Sequence, residues 1–236
     1  VNKNPRSGIA VTAPRPYRRA VQNPTSPVKA PKQERSRQSF EKALDATVTL
    51  LAERRSDAFT LAEVAQLAGV STGSIYGRVE SKSDLIRAAH LRETDRLLGV
   101  QRAAFEDGGD DVPDSLESAV TRTVRVTAEL LRTEAPVLSP FMRIGSDDPV
   151  IYQQARPAYD DMHHRFTSGL LARAEAIAHA DPVRAVEWAY RVVYSVLARF
   201  LGLGSAPEAA GDGDWEQILA DLSDMVTAYL ARPAAG

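Results

Sequence analysis

Apolar positions along this chain recur at steps of three and four residues, the spacing that lines one face of a helix. From Gln33 onward, Phe40, Leu44, Val48 and Leu51 follow that spacing and predict a first helix ending near Arg54–Ser56. Thr60 then caps a short helix over residues 61–68, with Glu63 three residues on. In this T-x-x-E box the threonine oxygen takes a free backbone N–H and the glutamate reaches back to the cap. Gly69 ends that helix. Ser71 caps a second short one through about Val79, and Ser81, followed by Asp84, caps a longer one to about Phe105. Residues 106–113 read as a loop. A helix is expected from Asp114 to about Arg132, an irregular piece between Pro136 and Pro140, and a break between Gly145 and Pro149. Pro149 opens a helix to about His179, kinked or split at Pro157. Asp181-Pro182 starts another to Leu201, stopped by Gly202 and Gly204, and Asp214 caps a last one to about Ala231. No segment alternates like a strand, so the expected fold class is all-α.

Residues 1–32 break the pattern. They hold six prolines, seven Lys/Arg and no acid, and they read as a disordered basic arm. The charge asymmetry extends further. Residues 1–84 carry 14 Lys/Arg against 8 Asp/Glu, whereas the rest carries 15 against 23. A basic N-terminal part on an acidic body suggests a polyanion-binding module joined to a differently tasked domain. Cysteine is absent, which excludes disulfides, thiol nucleophiles and cysteine metal sites. No apolar run approaches the roughly 20 residues that cross a bilayer. The basic N-terminus lacks the apolar stretch of a secretory signal. The expectation is a cytoplasmic protein with no membrane partner.

The informative stretch is TLAEVAQLAGVSTGSIYGRVESKSDL, from Thr60 to Leu85. Two short helices meet at a tight turn. Leu61, Val64, Ala65 and Leu67 can face inward from the first, and Ile75 from the second. Gly69 permits the left-handed backbone of the turn, and Val70 plugs the corner. The other face of the second helix presents Thr72, Gly73, Ser74, Tyr76 and Arg78, which are short, polar or basic. Such a helix fits a major groove about 12 Å wide, the arrangement of a helix-turn-helix with its second helix as reader.

This segment resembles the DNA-binding region of the tetracycline-repressor family. The run AGVSTGSIY (Ala68–Tyr76) and the following VESKSDL, with Lys82 opening the next helix, match that family's turn, recognition helix and exit. Departures are Arg55-Ser56-Asp57 where the family usually has a glycine, Arg78 where an aromatic or histidine is common, and Val79 where phenylalanine is common. The resemblance implies that Thr72, Gly73 and Ser74, with Ser71 at the cap, meet base edges. It also implies that Tyr76 and Lys82 grip phosphates, Thr60 sits at the DNA backbone, and Arg78 adds a phosphate or guanine contact. It implies double-stranded DNA as partner, an apolar pocket for a small-molecule effector in the C-terminal domain, a homodimer, and no cofactor. Candidate pocket residues are Phe105, Phe141, Met142, Tyr152, Arg156, Tyr159, His163 and Trp188.

Two other motifs compete. Residues 69–73 satisfy G-x-S-x-G, the nucleophile elbow of α/β-hydrolases, but a helix rather than a strand precedes Gly69, and Ser71 serves as an N-cap. His163 and His164 stand beside Asp160 and Asp161, yet no second ligand pair at helical spacing accompanies them, so no metal site is expected. No catalytic constellation is found, which leaves an enzyme built on the C-terminal cavity, or a helical scaffold, as the alternatives. The last two helices read as a two-fold interface through Tyr190, Val193, Leu197 and Phe200 on one, and Ile218, Leu222 and Met225 on the other. The expected organisation is an arm (1–32), a three-helix DNA-binding domain (33–80) and a helical effector and dimerisation domain (81–236).

Overall fold

The computed structural model describes residues 1, 32–106, 115–203 and 210–233. The expected basic arm and the loop before the fifth helix therefore lie outside the described residues, apart from their edges. Eight α-helices are present among those described: α1 (Lys32–Arg54), α2 (Leu61–Ala68), α3 (Thr72–Tyr76), α4 (Lys82–Glu106), α5 (Leu116–Gly145), α6 (Pro149–Leu171), α7 (Pro182–Phe200) and α8 (Trp215–Leu230). The all-α class holds.

Caps set the starts as local chemistry dictates. Thr60 Oγ1 accepts the Glu63 N–H, and the Glu63 carboxylate accepts the Thr60 N–H at 2.7 Å, closing the capping box. The Arg54 guanidinium, with these Thr60 donors, holds the Glu63 carboxyl down at about 2. A lowered folded-state value means that this box favours the fold above the ordinary carboxylate range and loses that effect as pH falls towards 2. Ser71, Ser81, Ser115, Asp148, Asp181 and Asp214 each accept a backbone N–H at the start of the following helix.

Gly69 closes α2 at φ +63°, where the first N–H groups after the helix turn back onto Ala65 and Gln66. A Cβ there would meet nothing within 4 Å, so strain in Gly69→Ala comes from the backbone alone. The substitution is expected to destabilise the protein by about 1–2 kcal/mol, read as a lower urea midpoint; an unchanged midpoint would refute the left-handed turn. At the other turn, where the family usually places glycine, Arg55 itself takes φ +49°.

Three boundaries depart from expectation. α5 does not stop at Arg132 but continues through Pro136 and Pro140 to Gly145. Arg132, whose carbonyl Pro136 leaves without its helical donor, and Pro136 itself are exposed residues, whereas Pro140 is buried. Meanwhile Leu131, Glu134, Leu138 and Phe141 keep the helical register of the buried face. α6 likewise continues through Pro157, whose side is exposed, but ends at Leu171 rather than His179, and a 3-10 turn follows at Ala174–Ala176. α3 is one short piece ending at Gly77, a poor helix former.

Two apolar clusters form. The N-terminal one joins α1, α2 and α3 through Leu44, Leu51, Val64 and Ile75, and it takes in Leu85, Ile86 and Ala89 of α4 together with Phe141 of α5 and Ile151 of α6. Leu67, expected inward, is 52% exposed on the outer side of α2. The larger cluster packs α5, α6, α7 and α8 around Val124, Phe166, Tyr190 and Leu197. α4 touches both, through Leu85, Ile86 and Ala89 at one end and Val100, Ala104 and Phe105 at the other, so one continuous helical rod joins the two cores.

Candidate nucleic-acid interface and inner cavity

The turn between α2 and α3 leaves one face of α3 open. Ile75 is fully buried beneath it and anchors the helix to α1 and α2. Outward stand Ser71, Gly73 and Tyr76, all exposed, with Thr72 and Ser74 half-buried beside them. No atom lies within 4 Å of where a Cβ on Gly73 would be, so this face is bare. Ser71 Oγ accepts the Ser74 N–H at 3.1 Å, and the Ser74 hydroxyl donates back to the Ser71 carbonyl at 2.6 Å. Ser71 is thus a helix cap, as the sequence reading has it, and α2 rather than a strand precedes Gly69. The open groups on α3 are Thr72, Tyr76 and the backbone around Gly73.

The basic residues are held by the domain itself. Arg78 donates to Ser36 Oγ at 3.2 Å and lies 5.6 Å from the Phe40 ring centre, tying the exit of α3 to the start of α1. Lys82 Nζ reaches the Asp57 carbonyl at 2.5 Å and its carboxylate at 3.1 Å, over the Phe59 ring. Asp57 belongs to the Arg55-Ser56-Asp57 turn that departs from the family pattern, and it forms a partly exposed ion pair with Lys82. Thr60 is exposed beside this pair, at the N-terminus of α2.

A cavity of about 610 Å³ opens between α4, α5 and α6, with Tyr194 of α7 in its wall. Five of the eight expected pocket residues line it: Phe141, Met142, Tyr152, Arg156 and Tyr159. The other three do not. Phe105 packs on the large core, Trp188 is 54% exposed on the outside of α7, and His163 Nε2 is 2.7 Å from a Glu187 carboxylate oxygen. Their helices are correct, but the rotation about the helix axis points them elsewhere. Among the described residues no group of three or more His, Asp or Glu side chains is placed to hold a metal ion.

Sequence reasoning named Arg156 but missed the rest of the polar wall. Arg96 Nε donates to Glu93 at 2.6 Å and its two Nη atoms reach both oxygens of the buried Glu134. Gln101, 2% exposed, also faces the cavity, and its Oε1 has no hydrogen-bond partner. A signal was present: His90, Thr94, Gln101 and Glu134 are polar residues at positions where helical spacing calls for apolar ones. Burial pushes the His90 imidazole below its ordinary value, and its Nδ1 is 3.1 Å from Gln154 Oε1.

The expected interface residues divide. Tyr190, Val193, Leu197 and Leu222 are at most 3% exposed, enclosed by the chain's own α5, α6, α7 and α8. They have no surface left for a second chain, which corrects that expectation. Phe200 and Ile218 are half-buried, Phe200 stacking on Trp215, and Met225 is 61% exposed.

Residues 43–89 match the family model of bacterial regulatory proteins, tetR family. No curated protein sequence matches the chain. Among solved structures it is similar to a tetR-family regulatory protein from Rhodococcus RHA1, with TM-score 0.57, 18% identity, and coverage of 84% of this chain and 98% of that one. A fatty acid degradation regulator from Bacillus halodurans gives TM-score 0.57 at 14% identity, over 80% and 94% of the two chains. A TetR family transcriptional regulator from Thermus thermophilus gives TM-score 0.55 at 19% identity, over 80% and 99%. At these identities the likeness is one of fold. Among the described residues no helix is long and apolar enough to cross a membrane.

Proposed function

We propose that this chain, whose residues 43–89 match the family model of bacterial regulatory proteins, tetR family, is a ligand-responsive repressor of that family. It binds a palindromic operator as a homodimer and is released by a small molecule in the inner cavity. The observation that carries this reading is α4. Its first turns, Leu85, Ile86 and Ala89, are core of the DNA-binding unit; its later turns, from His90 to Gln101, are wall of the cavity. Phe141 and Ile151 belong to both as well. A ligand that displaces either must move the packing under the reader helix. Arg87, bonded to Asp148 at 2.9 Å and Asp84 at 3.2 Å, ties the same rod to the α5–α6 turn.

Two such subunits place their reader helices in successive major grooves about 34–36 Å apart. A ligand that prefers another separation weakens DNA binding by its differential affinity for the two arrangements. The two-fold contact in this reading uses the outer faces of α7 and α8. Trp188, Val192 and Val196 line the first at four-residue steps, and Met225 stands on the second. The test is a gel shift on the DNA upstream of the protein's own gene. A sequence-specific complex on a palindrome is expected, and its absence sinks the reading.

Tyr76 and Lys82 serve as phosphate contacts, so they supply affinity without choosing bases. Tyr76→Phe is expected to weaken specific and random DNA by similar factors. Lys82→Ala is expected to flatten the plot of log affinity against log salt by about one unit. Fluorescence anisotropy across a salt series reads both, and an unchanged slope removes Lys82 from the interface.

A further inference from the structure

We propose that the cavity takes an uncharged, largely apolar molecule bearing one hydrogen-bonding group, a hydroxyl or an amide, that is read by Gln101. The proposal rests on the cavity being the effector site.

The first observation is Gln101 itself. Its side chain is 2% exposed, it lines the cavity, and its Oε1 has no partner. A buried carboxamide oxygen left unpaired is unfavourable, and a ligand O–H or N–H at that point satisfies it. The two ends of a carboxamide exchange by a flip, so the side chain offers a neutral donor and a neutral acceptor to the same spot. A hydroxyl or a primary amide complements both; an ammonium complements only the oxygen and a carboxylate only the nitrogen.

The second observation is that the charges in the wall are already matched. Arg96 spends all three nitrogens on Glu93 and Glu134, and the second Glu93 oxygen accepts from Arg92 at 3.1 Å. Each of these wall carboxylates thus has an arginine partner, and Arg92, which stands outside the lining, also meets Asp45 at 2.8 Å and Glu41 at 3.3 Å. Burial lowers the value of the His90 imidazole, which favours its uncharged form. Arg156 is largely in water at the mouth, 3.7 Å from Asp160, where an ion pair adds little. A carboxylate ligand must dislodge Glu134 from Arg96, and an ammonium must draw Glu134 or Glu93 away from its arginine. Either ion is desolvated without an uncompensated opposite charge to meet. The remaining wall is largely apolar, with Leu97, Leu131, Leu138, Phe141, Ile151 and Met162, and about 610 Å³ suits a molecule of drug size.

The experiment uses four probes on one ten-carbon chain: decan-1-ol, decanamide, decanoate and decylammonium. Calorimetry on the full chain at pH 7 is expected to give the alcohol and the amide at least about tenfold tighter binding than either ion, a difference of 1.4 kcal/mol. Gln101→Leu preserves volume and is expected to weaken alcohol and amide about fivefold or more while leaving decanoate unchanged. Glu134→Gln leaves Arg96 facing a single carboxylate, so decanoate is expected to gain about tenfold, a reversal that a misfolded pocket cannot produce. If Glu134→Gln does not fold, the Gln101→Leu comparison still decides. Decanoate binding the unaltered protein as tightly as decan-1-ol overturns the proposal. So does an unchanged alcohol affinity in Gln101→Leu, or no binding of any probe to protein with native circular dichroism. Calorimetry needs no DNA, so its failure is separate from a failed gel shift, which strikes the repressor reading instead.

Discussion

Leu197→Glu is expected to unfold the C-terminal body. Leu197 is fully buried on α7, within the cluster that holds Val124, Phe166 and Tyr190. Truncating such a leucine already costs about 2–5 kcal/mol through lost burial and the cavity left behind. Glutamate adds a carboxylate with no cation in that cluster, and it must either desolvate or take up a proton. The combined loss is on the order of 5 kcal/mol or more, comparable with the whole stability of a typical domain at about 5–15 kcal/mol. Urea melts followed by circular dichroism should show a variant largely unfolded or poised to unfold in buffer, with near-ultraviolet signal from its aromatic cluster lost. Tyr190 lies against Tyr159, His163, Phe166 and Tyr194, with ring centres 4.8–5.9 Å apart, and reports that loss directly. A variant that is folded and monomeric would instead return Leu197 to a subunit interface, as its place on the apolar stripe of α7 suggests from sequence alone.

That contrast marks what an amphipathic stripe can say. The spacing of Val186, Tyr190, Val193 and Leu197 tells which face of α7 is covered, and it is covered. It does not tell what covers it. The residues available to another chain, Trp188, Val192 and Val196, sit on a second, weaker stripe, where an isolated tryptophan among polar neighbours reads as easily as a pocket residue. The turn region was legible for the opposite reason. Thr60, Glu63, Gly69 and Ser71 act on backbone groups within four residues of themselves, so their chemistry is local and their outcome follows from order alone. The prolines of α5 show the limit of local rules. Pro136 removes a helical hydrogen bond, but the helix is held by Leu131, Leu138 and Phe141 on either side, whose partners lie on other helices. The cavity's polar wall depends on Arg96 and Glu134, 38 residues apart, meeting across two helices. Nothing in the sequence pairs them.

The double change Trp188→Glu with Met225→Glu is expected to give folded monomers that no longer recognise an operator. α7 and α8 run antiparallel: Phe200 stacks on Trp215 at one end, with ring centres 5.2 Å apart, and His179 meets Tyr229 at the other at 5.1 Å. Met225 therefore stands at about the level of Trp188. Both are more than half exposed in the single chain, 54% for Trp188 and 61% for Met225, so charge on either faces water in a monomer and leaves the subunit core intact. In a two-fold dimer the same four glutamates, two from each chain, are brought together and desolvated with no cation among the substituted positions, which disfavours association strongly. Sedimentation should report a monomer, and circular dichroism should keep its full helical signal. One reader helix without its mate makes half the contacts and loses the fixed spacing between grooves. Affinity for the operator should fall by about a thousandfold or more, to the level of random DNA. An intact dimer with full operator affinity would place the two-fold contact elsewhere on the molecule, and the route from cavity to reader helix would then have to be drawn within one subunit, along α4 alone.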